Sequence, residues 1–244
     1  MRKLRDVVYI NADAEKGLIK FYGIQFKDFI RCTPKPINNV LLIEHEYWSE
    51  KDHLPSRFMY TTEENIADLI SEDIYNYGDF CWVDFNEEKS LDLLTPQEIA
   101  ELLYLGHKYI PLNSAFFPSI DNQYAYCAHD DGWICMLYCR NIEDFSHVIT
   151  NYIITSLSTS KRRKIYQFTD DLRLKLLEIS CKGLLIDFDK LLIADRTIEI
   201  PIYQIGKYDD MDEMYNDIKM HRNRSKNKAW IVQKNKEWRY ETYQ

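Results

Sequence analysis

Three side chains of this 244-residue sequence are candidates for acid–base or metal chemistry. Asp84 lies in an apolar segment, residues 80–85, that is typical of a central strand, and its carboxylate should emerge at one end of it. His129 and Asp130 lie in a polar segment between two further strand-like runs. A histidine and two carboxylates can ligate a divalent metal ion or serve as acid and base in hydrolysis. We therefore expect Asp84, His129 and Asp130 to share one cleft, where a strand end meets an adjacent hairpin turn.

Other polar side chains nearby have local explanations that require no chemistry. Glu98 completes a helix capping box, and Glu101 lies on the polar side of the same helix. Asp131 precedes a glycine in a hairpin turn, and His107 follows a helix-ending glycine, where a cation suits the helix dipole. The candidate catalytic and metal-binding residues that remain are Asp84, His129 and Asp130.

Sequence signatures of catalysis and of cofactor binding are missing. The spacing of the candidates matches neither the H-E-x-x-H zinc helix nor the calcium loop. The chain has no dinucleotide fingerprint, Walker loop, nucleophile elbow or kinase motif set, and its 7 glycines cannot supply many phosphate-binding loops. We predict no cofactor other than a divalent metal at the three candidates, and the sequence leaves open whether the protein is an enzyme.

Acidic and basic side chains are unevenly distributed along the chain, whose formal net charge is −8. Residues 1–160 hold 13 basic and 25 acidic side chains, a net charge of −12, whereas residues 161–244 hold 18 and 14, a net charge of +4. The acidic part should repel nucleic acid and attract a basic protein partner. The basic runs at 161–164 and 219–228 are the segments suited to nucleic acid, but neither interleaves aromatic side chains as a single-strand binder does.

Aromatic side chains beside acidic ones are candidate anchors for a protein partner. The chain has 18 tyrosines and 5 tryptophans, and Tyr75, Tyr77 and Trp133 each neighbour acidic residues in the sequence. A few aromatic anchors carry much of the binding energy of protein interfaces. We therefore expect an exposed patch in which Tyr75, Tyr77 or Trp133 is ringed by Asp and Glu.

Strands and helices that must position these residues can be located from local signals. Thr95-Pro96-Gln97-Glu98 is a capping box with proline at the first helical position, which predicts a helix over 96–105 that Gly106 closes. An Asp-Gly pair predicts one hairpin turn, and a polar Lys-Asn-Lys turn predicts another near the C-terminus. The predicted hairpin strands cover residues 124–128 with 134–139, and 229–232 with 238–240.

The order of these elements favours an α+β fold. Strands recur in adjacent pairs instead of alternating strictly with helices, which is typical of a mainly antiparallel sheet covered by helices. The polar and basic run that begins at residue 156 indicates a boundary. We expect an acidic α+β domain over 1–160 and a smaller, basic C-terminal α/β subdomain over 161–244 that ends in a β-hairpin.

Cysteine placement and hydropathy bear on the compartment. The 6 cysteines lie mostly inside apolar runs, and none forms a C-x-x-C pair. The first residues do not resemble a secretory signal, and no apolar run approaches the roughly 18 residues that span a bilayer. We therefore expect reduced, buried thiols in a cytoplasmic protein that does not enter a membrane. The oligomeric state is left open.

Three strings carry a resemblance to other proteins: YGDFCWVDF at 77–85, LTPQEIAELLYLGH at 94–107 and AHDDGW at 128–133. Through them, residues 77–145 resemble a group of functionally uncharacterised proteins from Bacillus-like Firmicutes. Some of those proteins carry the label oxalate:formate antiporter, which a chain without a membrane span does not fit. The resemblance implies a bacterial, cytoplasmic origin and supplies neither an activity nor functional residues.

Taken together, the observations favour a non-catalytic intracellular protein of the immunity or regulatory kind. It would bind a basic protein partner through an acidic, aromatic-rich surface, while nucleic acid is disfavoured. One alternative is a metal-dependent hydrolase or nuclease that uses Asp84, His129 and Asp130. Another is a nucleic-acid adaptor that binds through the basic C-terminal part.

Overall fold

The computed structural model describes residues 7–43, 49, 51–71, 78–130, 132–158, 164–194, 197–224 and 228–242, and of Lys219 and residues 221–224 only the backbone. The strands are β1 (Val7–Asp13), β2 (Leu18–Tyr22), β3 (Val40–Ile43), β4 (Lys51–His53), β5 (Phe58–Thr61), β6 (Phe80–Asp84), β7 (Tyr124–His129), β8 (Ile134–Cys139), β9 (Leu184–Asp187), β10 (Leu192–Ala194), β11 (Thr197–Gln204), β12 (Lys228–Lys234) and β13 (Glu237–Glu241). The helices are α1 (Phe26–Cys32), α2 (Ile66–Ser71), α3 (Pro96–Lys108), α4 (Ile142–Leu157), α5 (Asp170–Ser180) and α6 (Met211–Arg224), with short 3-10 helices at Glu88–Leu93 and Phe188–Lys190.

The strands of the described residues belong to one sheet. Their order is β13-β12-β11-β9-β1-β2-β8-β7-β6-β3-β5-β4, with β10 paired to β11 beside β9. Each of these pairs is antiparallel. The β1–β2 hairpin stands in the middle, because β2 pairs with β8 and β1 pairs with β9. The hairpin therefore joins the strands of residues 40–139 to those of residues 184–241.

Helices cover both faces of this sheet. Helices α1, α2, α4 and α5 pack on one face and bury the larger hydrophobic core with it. On the other face, α3 packs over β3, β6 and β7 through Leu102 and Leu105, and α6 packs over β1, β9 and β11 through Met211 and Met214. Because both faces are covered, central strands are apolar on both sides, as residues 7–10 are.

Helix α3 begins as the sequence predicts. Thr95 Oγ1 accepts the N–H of Glu98 at 3.1 Å, and the Glu98 carboxylate accepts the N–H of Thr95 at 2.9 Å, which completes the capping box. The predicted end at Gly106 is wrong, since Gly106 is buried inside the helix and Tyr109 takes the left-handed conformation, with φ of 55°. Packing of this helix against the sheet thus overrides the local stop signal.

The predicted α+β class with a mainly antiparallel sheet is confirmed, and so are both predicted hairpins, which form β7–β8 and β12–β13. The C-terminal strands β9–β13 also pair antiparallel, and they continue the same sheet through β1. A separate, smaller α/β subdomain over 161–244, with a boundary near residue 160, stays a prediction.

Gly183 and Gly206 offer a test of how tightly the C-terminal strands are joined. Both have left-handed φ, at +83° and +96°, but a Cβ on Gly183 would lie 1.7 Å from the Gly206 carbonyl oxygen, whereas a Cβ on Gly206 would meet nothing within 4 Å. We expect Gly183→Ala to lower the free energy of unfolding by about 3 kcal/mol or more, through strain plus a backbone clash. Gly206→Ala should cost about 1 kcal/mol through strain alone.

Urea unfolding of the two alanine variants measures the difference. Equal losses in the two proteins would contradict the close approach of the two backbones.

Candidate functional site

Asp84, the last residue of β6, is half-buried, and its carboxylate bonds to the start of β7. Its Oδ1 atom accepts the N–H of Gln123 at 2.9 Å and that of Tyr124 at 2.6 Å. Burial raises the pKa of Asp84 to about 7, although the two N–H donors and the nearby Arg140 favour the charged form. The carboxyl group is therefore held in place by two main-chain N–H groups, and it is partly protonated at neutral pH.

His129 ends β7, and Asp130 follows it in the turn to β8. Asp79, just before β6, contacts both: its Oδ1 accepts the N–H of Asp130 at 2.7 Å, and its Oδ2 lies 3.5 Å from Nδ1 of His129. The His129 ring packs edge-on against Tyr109, with centroids 3.8 Å apart. Burial lowers the pKa of His129 against the opposing effect of Asp79, so the imidazole is mainly neutral at pH 7.

Asp79 is the residue of this group that sequence reasoning did not single out. Strand register contains the signal, because Phe80 pairs with Ala128, and Asp79, the residue before β6, is therefore level with His129, the last residue of β7. A neutral histidine beside a carboxylate has the composition of an acid–base pair. The His129 ring also packs on the buried Tyr109, and His129 pairs with Ile134 in the β7–β8 hairpin, so its position also has a structural explanation.

The structure does not bring Asp84 together with His129 and Asp130. Since β6 and β7 are antiparallel and Phe80 pairs with Ala128, His129 and Asp130 lie beyond the first residue of β6, whereas Asp84 is its last. The length of β6 between these ends is about 14 Å. The predicted shared cleft is therefore wrong, because a turn that follows the second of two antiparallel strands returns to the start of the first.

The same separation bears on the predicted metal site. Among the residues that the structure describes, which exclude Asp131, no group of three or more His, Cys, Asp or Glu side chains is placed to hold a metal ion. One ion shared by Asp84, His129 and Asp130 is not compatible with this geometry. A catalytic role for any one of the three stays a prediction.

Three polar side chains, Ser56, His53 and Asp92, lie in a row at the β4 end of the sheet. The sequence did not indicate this arrangement. The Nδ1 atom of His53 lies 2.7 Å from Ser56 Oγ, and its Nε2 lies 3.4 Å from Asp92 Oδ1. Serine, histidine and carboxylate in this order can activate a hydroxyl nucleophile. Here Ser56 is buried, and its oxygen accepts the N–H of Phe58 at 3.3 Å, as expected of a residue that stabilises the β4–β5 turn. The arrangement is thus explained by the turn.

Trp133 is the predicted binding residue that the structure describes, since Tyr75 and Tyr77 lie outside the described residues. It is half-buried in the turn before β8. Its ring packs edge-on against Tyr22 of β2, with centroids 4.9 Å apart, and lies tilted against Tyr215 of α6 at 5.9 Å. The indole is therefore held between a central strand and a helix that comes much later in the sequence.

Acidic side chains lie in the turn that holds Trp133 and in the first turn of α6. The N–H of Trp133 donates to the carbonyl of Asp130 at 2.9 Å, which places the exposed Asp130 in the same turn. The first turn of α6 carries the exposed Asp212 and Glu213, and Asp212 precedes Tyr215 by about one helical turn. We refer to these residues as the Trp133 patch: Tyr22, Asp130, Trp133, Asp212, Glu213 and Tyr215.

Comparisons with protein-family models, with curated proteins and with solved structures find no match to this chain. The resemblance to proteins of Bacillus-like Firmicutes therefore stays a prediction. In the ranges that the structure describes, no helix is both long and apolar enough to cross a membrane.

Asp84→Asn separates the charge of this side chain from its hydrogen bonds. Asparagine keeps an oxygen that can accept the N–H groups of Gln123 and Tyr124. Because the pKa of Asp84 is raised on folding, the folded protein retains a proton that the unfolded chain has lost between about pH 4 and about pH 7. The group therefore lowers stability as pH rises through that window, and we expect Asp84→Asn to be more stable relative to wild type at pH 8 than at pH 4.

Urea unfolding at both pH values measures this effect. Asp84→Ala is the control, because it leaves both N–H groups without their acceptor and should cost about 1–3 kcal/mol at either pH. If the asparagine variant and the wild type change in parallel with pH, the raised pKa is refuted.

Proposed function

We propose that the protein is a non-catalytic protein-binding protein, of the immunity or regulatory kind, that recognises a basic protein partner through the Trp133 patch. The observation that carries the proposal is the half-buried ring of Trp133, packed between Tyr22 and Tyr215, with acidic side chains in its own turn and in the first turn of α6. Tryptophan and tyrosine are enriched among the few residues that dominate binding energy at protein interfaces.

The support beneath the patch favours this use of Trp133. Tyr22 is buried in β2, and Tyr215 lies on α6, which Met214 and Ile218 anchor in the core. An indole packed between two aromatic neighbours loses little conformational freedom when a partner covers it. A partner therefore gains apolar contact at Trp133 without a large entropic cost.

Electrostatics favours a basic partner. Three other carboxylates in or just before α6 are already engaged: Asp209 by an ion pair with Lys20, Asp210 by the N–H of Asp212 at 2.7 Å, and Asp217 by a hydrogen bond from Tyr208 at 3.0 Å. Asp212 and Glu213, by contrast, extend from the exposed side of the first turn. Their charge should speed encounter with a basic surface and lose that effect as salt screens it.

A cytoplasmic location is part of the proposal. Five of the cysteines are buried and Cys181 is half-buried, all as free thiols, which suits a reducing compartment. The nucleic-acid alternative depends on basic runs of which residues 161–163 and 225–227 lie outside the described residues. It has no observation in its favour beyond the charge of the sequence.

Trp133→Ala tests the proposal. Tagged wild-type protein should enrich a basic protein from an extract of the source cell at about 50 mM salt and lose it near 0.5 M, where the Debye length falls to about 4–5 Å. Trp133→Ala should weaken binding to that partner by about tenfold or more, because it removes an aromatic anchor of about 2 kcal/mol. Titration of the purified partner with each variant gives the dissociation constants.

Trp230→Ala is the matched control, since Trp230 is also half-buried but lies on β12, five strands and about 24 Å from β8. It should bind like wild type. The proposal is wrong if the two tryptophan variants bind equally, or if no protein is enriched at low salt.

A further inference from the structure

Strand β13 is an end of the sheet, and within the described residues its partner strand is β12. Asn235 and Lys236 form the two-residue turn between them, with φ of 53° and 71°. Two successive positive φ values are typical of a type I′ turn, which makes Lys234 and Glu237 a hydrogen-bonded pair. The turn thus determines which main-chain groups of β13 face β12.

Main-chain groups alternate in direction along an antiparallel strand. Because Glu237 bonds to β12, so do Arg239 and Glu241, while the N–H and C=O groups of Trp238 and Tyr240 point away from the sheet. Outward groups at the end of a sheet are a template for a further strand. The edge of β13 therefore has the geometry to accept one.

The opposite end of the sheet is less suited to this. Strand β4 has 3 residues against the 5 of β13. Its side chains are also tied to neighbouring elements, since Lys51 pairs with Glu64 and Glu88, and His53 faces Asp92. The longer and regular edge is that of β13.

Charged side chains on β13 favour some registers over others when β13 strands of two copies pair. Glu237, Arg239 and Glu241 occupy alternate positions and so lie on one face. In a two-fold antiparallel pair, one residue lies opposite itself. If that residue is Arg239, arginine faces arginine and Glu237 faces Glu241, an arrangement of like charges that is unfavourable.

Two other registers place arginine opposite glutamate. With Tyr240 opposite itself, Tyr240 forms two main-chain hydrogen bonds with its copy, and Trp238 lies opposite Thr242, the residue after β13, where up to about four more can form as the strand extends by one residue. With Trp238 opposite itself, Tyr240 faces the turn residue Lys236, whose φ is 71°, and only about two such bonds form. Hydrogen bonding and charge together select the register centred on Tyr240.

We propose that the protein self-associates through β13, which pairs antiparallel with β13 of a second copy and places Tyr240 opposite Tyr240 of that copy. The exposed Tyr240 rings then form a cross-strand aromatic pair at the two-fold axis. Arg239 faces Glu241 of the second copy at two symmetric positions. This interface lies six strands from β8, so it does not depend on the Trp133 patch.

Tyr240→Pro removes an outward N–H without touching a bond to β12, at a kind of position where edge strands tolerate proline. Sedimentation should show a concentration-dependent dimer for wild type and a dissociation constant raised about tenfold or more for Tyr240→Pro. Tyr240→Thr, which loses the ring but keeps the N–H, should have a smaller effect. A wild-type protein that is monomeric at about 100 µM, or a proline variant with an unchanged constant, would overturn the proposal.

Disulfide trapping tests the register and does not require the proline variant to fold. In a Cys181→Ser background, Tyr240→Cys places two thiols on Cα atoms about 5.5 Å apart, within reach of a disulfide. Arg239→Cys places them about 8 Å apart, which is beyond that reach. We expect a mild oxidant to cross-link the first variant into a dimer and not the second. Cross-linking of the second alone, or of neither, contradicts the proposed pairing.

Discussion

The fold depends on the central position of the β1–β2 hairpin, whose strands have neighbours on both edges and on both faces. Val8 and Ile10 point into the larger core and Val7 and Tyr9 into the core under α6, and each is at most 1% exposed. A strand in this position has to be apolar on both sides, and its main-chain groups have to be paired along both edges. Pairing with β8 and β9 meets the second requirement, and it is also what unites the early and late strands in one sheet.

Tyr9 carries the polar group among the buried residues 7–10 of β1, and its hydroxyl connects the centre of the sheet to the candidate binding surface. The hydroxyl donates to the carbonyl of Gly206 at 3.0 Å and accepts the N–H of Tyr208 at 2.9 Å. Burial raises the pKa of Tyr9 to about 12, so the group remains a donor at physiological pH. These bonds fix the segment that leads into α6, and α6 in turn carries Tyr215 to Trp133. Because Tyr22 also belongs to the hairpin, the hairpin determines both sides of the Trp133 patch.

Local chemistry predicts much of this structure, and the remainder depends on pairing between distant segments. The capping box at Thr95 and the β7–β8 hairpin are predicted correctly because the interactions that form them span only a few residues. The shared cleft for Asp84 and His129 fails because it requires the register and direction of β6 against β7, which no local signal encodes. Trp133 is identified as a candidate from its acidic neighbours, but Tyr215 is not, since only the long-range packing of α6 brings the two rings together.

The net charge of a sequence segment describes the protein surface less well than the positions of the charged side chains in the fold. Residues 161–244 are basic in sum, yet the exposed Asp212 and Glu213 near Trp133 come from that part of the chain. They lie on the element that packs against Trp133, whereas Asp130 comes from the acidic part. A partner interacts with the charged side chains that lie within about one Debye length of it, roughly 8–10 Å. The net charge of a whole sequence segment does not describe that local charge. The elements that meet at Trp133 therefore carry acidic side chains from both sides of the predicted acidic–basic boundary.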